Sequence, residues 1–338
     1  MSPRVLGARA GGVEDDDFDD FDRASGYSRP RTKTRPDYSG APVGRVLGVD
    51  RGRFDVSLAA GTGPETVVRA IKARPLGRKS VVVGDQVRLT GDVSGVGDSL
   101  ARIVEVMPRK TWLCRSADDD DPAERPLVAN ADQLLIVTAA ASPPPRIGMI
   151  DRLIVAAAVA GVRPLIVVTK TDLASPDDIV AAYTDLGVPV EATRKGADLF
   201  PIEELLKKHT TVFVGHSGVG KSTLINALVP GAARSTADVN DVTGKGRHTS
   251  TSAVALPLDG DSWVIDTPGV RSFGLAGVRG DQVVAAFPDI DAIVQACPRG
   301  CPHLDGSPEC ELDVAVADGR LSAARLASLR RMLTALTR

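Results

Sequence analysis

The chain of 338 residues contains 43% hydrophobic and 25% charged residues, an ordinary balance for a globular protein, and it is long enough for two or three domains. Its net charge is −2, which excludes nucleic-acid binding driven by overall charge and leaves only local basic patches for that role. No apolar run reaches the length of a membrane span and no secretory signal peptide is evident. We therefore expect a cytoplasmic protein, a monomer without a membrane partner.

Residues 1–40 are predicted to form a disordered charged tail. An acidic run at 14–20 is followed by a basic, proline-broken run at 29–36. Such runs are usually solvated, and a basic arm that touches RNA phosphates is the alternative.

Residues 41–108 are predicted to form a small β-barrel of the oligonucleotide-binding (OB) type. Five short β-type runs are punctuated by Gly and Asp, at 44–49, 54–58, 66–70, 87–89 and 101–106. Basic residues cluster between the third and fourth runs: Arg69, Lys72, Arg74, Arg78 and Lys79. An RNA-binding groove and a generic β-domain with a solvated basic loop both fit this segment.

Residues 109–277 alternate between apolar strands and helices. Strands at 133–138, 164–168, 188–191 and 209–213 are each followed by a helical segment, and a hairpin follows at 253–265. Near-continuous apolar strands that alternate with helices predict a mainly parallel sheet covered on both faces. Together with the barrel, this sheet predicts a multidomain α/β chain.

The stretch 214–222 matches the phosphate-binding pattern G-x-x-x-x-G-K-[ST] between a strand and a helix. Its glycines let backbone N–H groups turn toward phosphate oxygens, Lys221 is expected to reach the outer phosphates, and Ser222 is expected to ligate Mg²⁺. A chance glycine-rich turn is the alternative. The predicted nucleotide-binding residues are Val214, Gly215, His216, Ser217, Gly218, Val219, Gly220, Lys221 and Ser222.

A second motif ends the strand at 164–168. A carboxylate in this place accepts the paired N–H groups of guanine, and a Lys stem covers the base. The motif resembles [N/T]-K-x-D, and ligands bind at such strand ends in parallel sheets. Its residues are Thr169, Lys170, Thr171 and Asp172.

Two further segments follow the phosphate-binding loop. Asp266 and Gly269 of an Asp-Thr-Pro-Gly turn are expected to assist Mg²⁺ and to meet the γ-phosphate. The Gly- and Thr-rich stretch 243–251 is a candidate switch loop in which Thr249 ligates Mg²⁺, with Thr251 left open. Val270 has no polar group to orient water, so we expect His248 to do so, with Arg247 as an alternative. The predicted catalytic residues are His248, Thr249 and Lys221.

The base-reading motif precedes the phosphate-binding loop here, whereas it follows that loop in ordinary GTPases, so the order indicates a circular permutation. The barrel, the permuted core and a late Cys/His cluster together resemble the ribosome small-subunit-dependent GTPase A (RsgA/YjeQ) family over roughly 40–338. This resemblance implies a GTPase, acting on GTP with Mg²⁺ to give GDP and phosphate, that contacts the small ribosomal subunit and its rRNA late in assembly.

The resemblance also implies a C-terminal helical zinc-binding domain over 278–338. Three of the four cysteines cluster there, which is typical of metal binding and not of a disulfide framework. The implied ligands of one structural Zn²⁺ are Cys297, Cys301, His303 and Cys310. The chain lacks one residue between the first two cysteines and gains one before the last, relative to the family spacing.

Two other functions stay open from the residues. One is a nucleotide-gated RNA-binding scaffold whose hydrolysis is incidental, and the other is an ATP-using P-loop enzyme. Stimulation of turnover by small subunits separates the first from a GTPase, and competition between GTP and ATP separates the second.

Overall fold

The computed structural model describes residues 37–58, 66–77, 81–96, 99–115, 125–184, 186–229, 253–268 and 278–336. Several predicted residues lie outside these ranges: Arg78, Lys79, Arg247, His248, Thr249, Thr251, Gly269 and Val270, together with the tail up to residue 36. Among the described residues, no helix combines the length and the apolar character that crossing a membrane requires.

The N-terminal barrel consists, among the described residues, of strands β1 (Val43–Asp50), β2 (Arg53–Leu58), β3 (Thr66–Lys72), β4 (Gln86–Gly91) and β5 (Ala101–Val106). Strand β1 pairs with β2 and β4, and β3 pairs in parallel with β5, which closes the barrel in the order expected of an OB fold. Alternate residues along these strands point inward and build a core that includes Val46, Val56 and Ile103.

A two-stranded hairpin of β6 (Trp112–Arg115) and β7 (Arg125–Ala129) follows the barrel. No strand was predicted between the barrel and the strand at 133–138, so the hairpin is an addition to the predicted elements. Its short strands flank an acidic run, and a register shift between Leu113 and Cys114 interrupts the alternation that would have marked a strand.

The central sheet starts with β8 (Gln133–Ala139), which leads through α1 (Ile147–Val159) to β9 (Arg163–Thr169). Helix α2 (Asp177–Thr184), β10 (Val190–Ala192) and α3 (Phe200–Leu206) follow. Then come β11 (Thr210–Val214), α4 (Lys221–Leu228) and the hairpin β12 (Val254–Pro257) and β13 (Trp263–Asp266). The predicted alternation and the hairpin are therefore present.

Both faces of the central sheet are buried, as the apolar runs require. On β8, Leu134 and Ile136 face one core cluster and Leu135 and Val137 face the other. The second cluster contains residues of α3 and α4, and the first contains residues of α1 and α2. This arrangement leaves the carboxyl ends of the parallel strands available for loops.

The C-terminal part is helical: α5 (Gly280–Ala285), α6 (Pro288–Val294), α7 (Glu311–Ala317) and α8 (Ala323–Leu336). Buried residues of α8, including Leu329 and Met332, belong to the same core cluster as those of α1. The C-terminal helices therefore share a hydrophobic core with one face of the central sheet.

Barrel and central sheet are joined through β1, which pairs antiparallel with β12 at Gly48 and Val254. Within the described residues, the joined sheet has the order β10-β9-β8-β11-β13-β12-β1-β2-β3-β5-β4. Arg45 of β1 lies with its guanidinium carbon 5.0 Å from the centroid of the Trp263 ring, and its Nη1 donates to Thr210 Oγ1 at 3.1 Å. The contact between the two parts thus includes a strand pair, a hydrogen bond and a cation–π interaction, and Leu47 and Val49 of β1 add apolar packing against the central core cluster.

Candidate functional site

Three sequence motifs meet at one edge of the central sheet. Thr169 ends β9, Val214 ends β11 and Asp266 ends β13. The strands β9, β8, β11 and β13 are parallel neighbours, so their carboxyl ends lie side by side. The sheet therefore brings the base-reading motif, the phosphate-binding loop and the Asp266 turn together, although the chain separates them by up to about 100 residues.

The phosphate-binding loop, residues 215–222, has the backbone that its glycines permit. A side chain at Gly215 would lie 2.5 Å from the carbonyl oxygen of Val137, so the loop packs directly against β8. Gly218 and Gly220 have φ values of +83° and +93°, in the region that favours glycine. Helix α4 begins immediately afterwards at Lys221, and its first-turn N–H groups face the end of the sheet where phosphate is expected.

Lys221 forms an ion pair with Asp266, from Nζ to Oδ1. Both side chains are largely buried, with exposed fractions of 11% and 22%. The side chain predicted to reach phosphate therefore already has an anionic partner at the same sheet edge. Ser222, the predicted Mg²⁺ ligand, is exposed beside it.

The base-reading motif is linked to the phosphate-binding loop by its first two residues. The buried Thr169 hydroxyl contacts the carbonyl oxygens of Thr138 at 3.2 Å and Val219 at 2.5 Å. Lys170 Nζ donates to the carbonyl oxygen of Gly218 at 2.7 Å and to that of Ser142. These contacts fix the motif against the loop that is expected to hold phosphate.

The remaining two residues of the motif face the neighbouring strand and solvent. The Thr171 backbone N–H and hydroxyl both donate to the carbonyl oxygen of Thr193, at 3.3 and 3.2 Å. Asp172 is exposed, so its carboxylate is accessible to a ligand. Thr193 was assigned no role from the sequence, because a contact through a backbone carbonyl leaves no residue signature.

The late Cys/His cluster forms a second candidate site, away from the sheet edge. The ligand atoms of Cys297, Cys301, His303 and Cys310 all lie within 4.8 Å of one another. His303 Nδ1 lies 3.6 Å from Cys297 Sγ and 4.0 Å from Cys310 Sγ. Tetrahedral ligands at about 2.3 Å from a metal are about 3.7 Å apart, so the donor set and its spacing fit a metal ion.

The electrostatics of the cluster favour a neutral His303 and, without a bound cation, oppose the thiolate form of Cys310. Burial raises the pKa of the Cys310 thiol to about 11, while burial and the nearby Arg330 lower the pKa of His303. A neutral imidazole is the form that ligates metals, and a bound dication converts thiols to thiolates. Arg330 Nε also donates to the His303 carbonyl oxygen at 3.3 Å, which ties the cluster to α8.

The predicted basic surface of the barrel is only partly described. Arg69 pairs with Asp55 at 3.4 Å, and its side chain is 34% exposed, so its charge is partly neutralised. Arg74 is exposed in a short 3₁₀ helix at Arg74–Leu76.

The chain is similar to proteins of one family. A family model described as RsgA GTPase matches residues 106–276. The small ribosomal subunit biogenesis GTPase RsgA of Ectopseudomonas mendocina (strain ymp) is 39% identical over 266 residues, which cover 76% of this chain and 75% of that protein. The protein of the same name from Nitrosomonas europaea is 35% identical over 305 residues, 87% of this chain and 91% of that protein.

Solved structures show the same architecture. The crystal structure of YloQ, a circularly permuted GTPase, aligns with a TM-score of 0.65 and 24% identity over 89% of this chain and 96% of that one. The crystal structure of YjeQ from Thermotoga maritima aligns with a TM-score of 0.66 and 26% identity over 88% and 98% of the two chains. The permuted order inferred from the motifs is therefore also the order of these folds.

Proposed function

Because this chain belongs to the RsgA GTPase family and is therefore a GTP hydrolase, we propose that it hydrolyses GTP at the sheet edge that carries Thr169, Lys221 and Asp266, with the small ribosomal subunit as its stimulating partner. The observation that carries the proposal is the convergence of three motifs at the carboxyl ends of neighbouring parallel strands. The contacts of Thr169 and Lys170 with the phosphate-binding loop support one continuous site for base and phosphates.

In this site, Asp172 accepts the paired N–H groups of guanine and the stem of Lys170 covers the base. The N–H groups of the loop 215–222 and of the first turn of α4 bind phosphate oxygens. Lys221, which pairs with Asp266, would bind the outer phosphates of GTP, and Asp266 would assist in holding Mg²⁺.

Hydrolysis depends on charge stabilisation and on an oriented water molecule. Mg²⁺ held by Ser222 and Thr249, with Asp266 assisting, would supply positive charge at the phosphate oxygens. Gly269 contacts the γ-phosphate, and His248 orients the water, because Val270 lacks a polar group. We keep Thr249, His248 and Gly269 as proposals, since they lie outside the described residues.

The C-terminal cluster is proposed to hold one structural zinc ion through three thiolates and one imidazole. Such a closed set leaves no position open for substrate. We propose the working boundaries 1–40 for the tail, 41–108 for the barrel, 109–277 for the GTPase domain and 278–338 for the zinc-binding domain.

The proposed partner follows from the names of the relatives, which are small ribosomal subunit biogenesis GTPases. The barrel, whose basic residues include Arg69, Lys72 and Arg74, is proposed to contact rRNA, and Arg78 and Lys79 are proposed to extend this surface. Contacts with phosphates would make docking salt-dependent. A cytoplasmic, monomeric protein fits this role.

The test is GTP turnover by the full chain with and without purified small ribosomal subunits, at two salt concentrations. We expect turnover to rise with subunits and the rise to shrink at high salt. Unchanged turnover with nucleotide-dependent docking would favour a scaffold instead. Equal competition by ATP and GTP would contradict guanine recognition.

A further inference from the structure

Three successive carbonyl groups of the phosphate-binding loop each contact a side chain that can donate a hydrogen bond. His216 Nδ1 lies 3.0 Å from the Ser217 oxygen, Lys170 Nζ lies 2.7 Å from the Gly218 oxygen, and Thr169 Oγ1 lies 2.5 Å from the Val219 oxygen. Lys170 and Thr169 belong to the base-reading motif. His216 belongs to the loop itself and has no role from the sequence beyond its place in the pattern.

The direction of a carbonyl group determines the direction of the next N–H group. In a trans peptide the C=O and the N–H point to opposite sides, and the Ser217–Gly218 bond is not among the cis bonds of the described chain. A contact that fixes the direction of the Ser217 carbonyl therefore also fixes the Gly218 N–H, which points to the opposite side of the loop. The inner side is where phosphate oxygens are bound in loops of this type.

The proton on His216 can be placed from the same contact. A carbonyl oxygen only accepts, so Nδ1 must carry the hydrogen, and Nε2 of the neutral ring is then an acceptor. Nε2 is buried and has no hydrogen-bond partner among the described residues. A buried, unpaired acceptor costs free energy, so the ring position is explained by its contact with Ser217 and not by any benefit at Nε2.

We propose that His216 is a positioning residue of the nucleotide site: its Nδ1–H holds the Ser217 carbonyl outward and so presents the Gly218 N–H to the phosphates of guanine nucleotides. Gly218 can adopt the required backbone because its φ is +83°. The packing of Gly215 against Val137 fixes the start of the loop, so the ring acts on a backbone that has little freedom left. This inference deepens the proposed GTP site and rests on it.

Two substitutions at His216, to Asn and to Leu, have nearly the same shape as each other but differ in whether they carry an N–H donor. His216→Asn keeps an N–H donor bonded to Cγ, as Nδ1 is, and removes the unpaired Nε2. His216→Leu has the same branching and no donor. Loss of one hydrogen bond predicts about three- to tenfold weaker binding of both GDP and GTP for His216→Leu, with Asn restoring affinity to within about twofold of wild type.

The kinetic and spectroscopic readouts distinguish positioning from general packing. A ground-state contact should raise KM for GTP in His216→Leu and leave kcat nearly unchanged. In ¹⁵N–¹H spectra, the Gly218 amide should shift on adding GDP in wild type and in His216→Asn, and much less in His216→Leu. In unliganded protein, ¹⁵N-histidine spectra should show the proton of His216 on Nδ1.

Each contrary result has a distinct meaning. Equal GDP affinity of wild type and His216→Leu, no rescue by Asn, or a proton on Nε2 would overturn the role of His216 and leave the proposed function intact. A wild-type protein that binds no guanine nucleotide would contradict the proposed function itself, and the tautomer measurement in unliganded protein would still test the contact with Ser217.

Discussion

Arg331 of α8 donates from Nε to the carboxylate of Asp151 on α1 at 3.1 Å, across 180 residues of sequence. Asp151 is only 2% exposed, and its other oxygen accepts from the hydroxyl of the fully buried Tyr183 on α2 at 2.9 Å. The pair therefore links the C-terminal helices to two helices of the GTPase domain through one buried carboxylate.

Arg331→Met should destabilise the protein, because it leaves the buried Asp151 without its cationic partner. Arg331 is 45% exposed, so water screens the pair, and we expect a loss of about 1–2 kcal/mol in the free energy of unfolding. Chemical denaturation measures this loss of unfolding free energy. Arg279→Met is the matched control, because Asp281, its partner, is 64% exposed and the unfolding midpoint should not move. Equal effects of the two substitutions would contradict the assignment.

Asp151 should also give the protein a specific pH dependence. Burial raises the pKa of Asp151, and the contacts with Arg331 and Tyr183 offset this only in part. The folded state then binds the proton more tightly than the unfolded state, so the contribution of this group is full below the pKa of the unfolded carboxyl and is lost as pH rises through the raised pKa. Wild type should therefore lose stability relative to Asp151→Asn over that interval. A flat or opposite difference in unfolding free energy would contradict this.

Asp172→Asn should change the base that the site selects. Two N–H donors of guanine would lose their acceptor, at about 1–3 kcal/mol for each unsatisfied group, so GTP should bind at least tenfold more weakly. Xanthine nucleotides, whose oxygen needs a donor, should bind relatively better. Competition binding measures both, and Asp177→Asn at the start of α2 serves as the control. Unchanged GTP affinity in Asp172→Asn would refute the assignment.

The Cys/His cluster should bind one zinc ion per chain, measured by elemental analysis of purified protein. Cys301→Ser or chelation should loosen the C-terminal helices, because ligand binding and local folding are coupled, while GDP binding stays largely intact. Cys114→Ser, on β6 and outside the cluster, should retain the metal. Carefully purified wild type without zinc would contradict the proposal.

His248→Ala should lower turnover stimulated by small subunits by roughly a hundredfold. This is the lower end of the rate enhancement that a general acid or base contributes. GTP affinity should change little, since ground-state binding is assigned to the loop 215–222 and Asp172. Arg247→Ala is the adjacent comparison. Full stimulation of His248→Ala would remove it from the mechanism.

The sequence predicted those parts of the fold that depend on local pattern. The apolar run of β8, the glycines of 215–220 and the chain order of the motifs were sufficient to predict a permuted parallel sheet with a nucleotide site at its edge. The clustered late cysteines also predicted a metal site, and the family resemblance implied its four ligands, although their spacing departs from that of the family.

Contacts between distant side chains had no such signal. The ion pair of Lys221 with Asp266, the stacking of Arg45 on Trp263 and the link from Arg331 to Asp151 join residues that are 45 to 218 positions apart. Arg325, Arg330 and Arg331 of the last helix likewise pair with acidic residues of the same chain. Such choices follow from packing, which composition and periodicity do not encode.

The barrel meets the central sheet through β1: Gly48 faces Val254, and Arg45 covers Trp263. Leu47 and Val49 of β1 also pack against the core cluster that contains Ile265 of β13. Strand β12 is shared between this joint and β13, which ends at Asp266. A force that a bound partner applies to the barrel would thus act on β12, because β1 of the barrel pairs with it. Since β12 also pairs with β13, that force would reach Asp266 across a single strand pair.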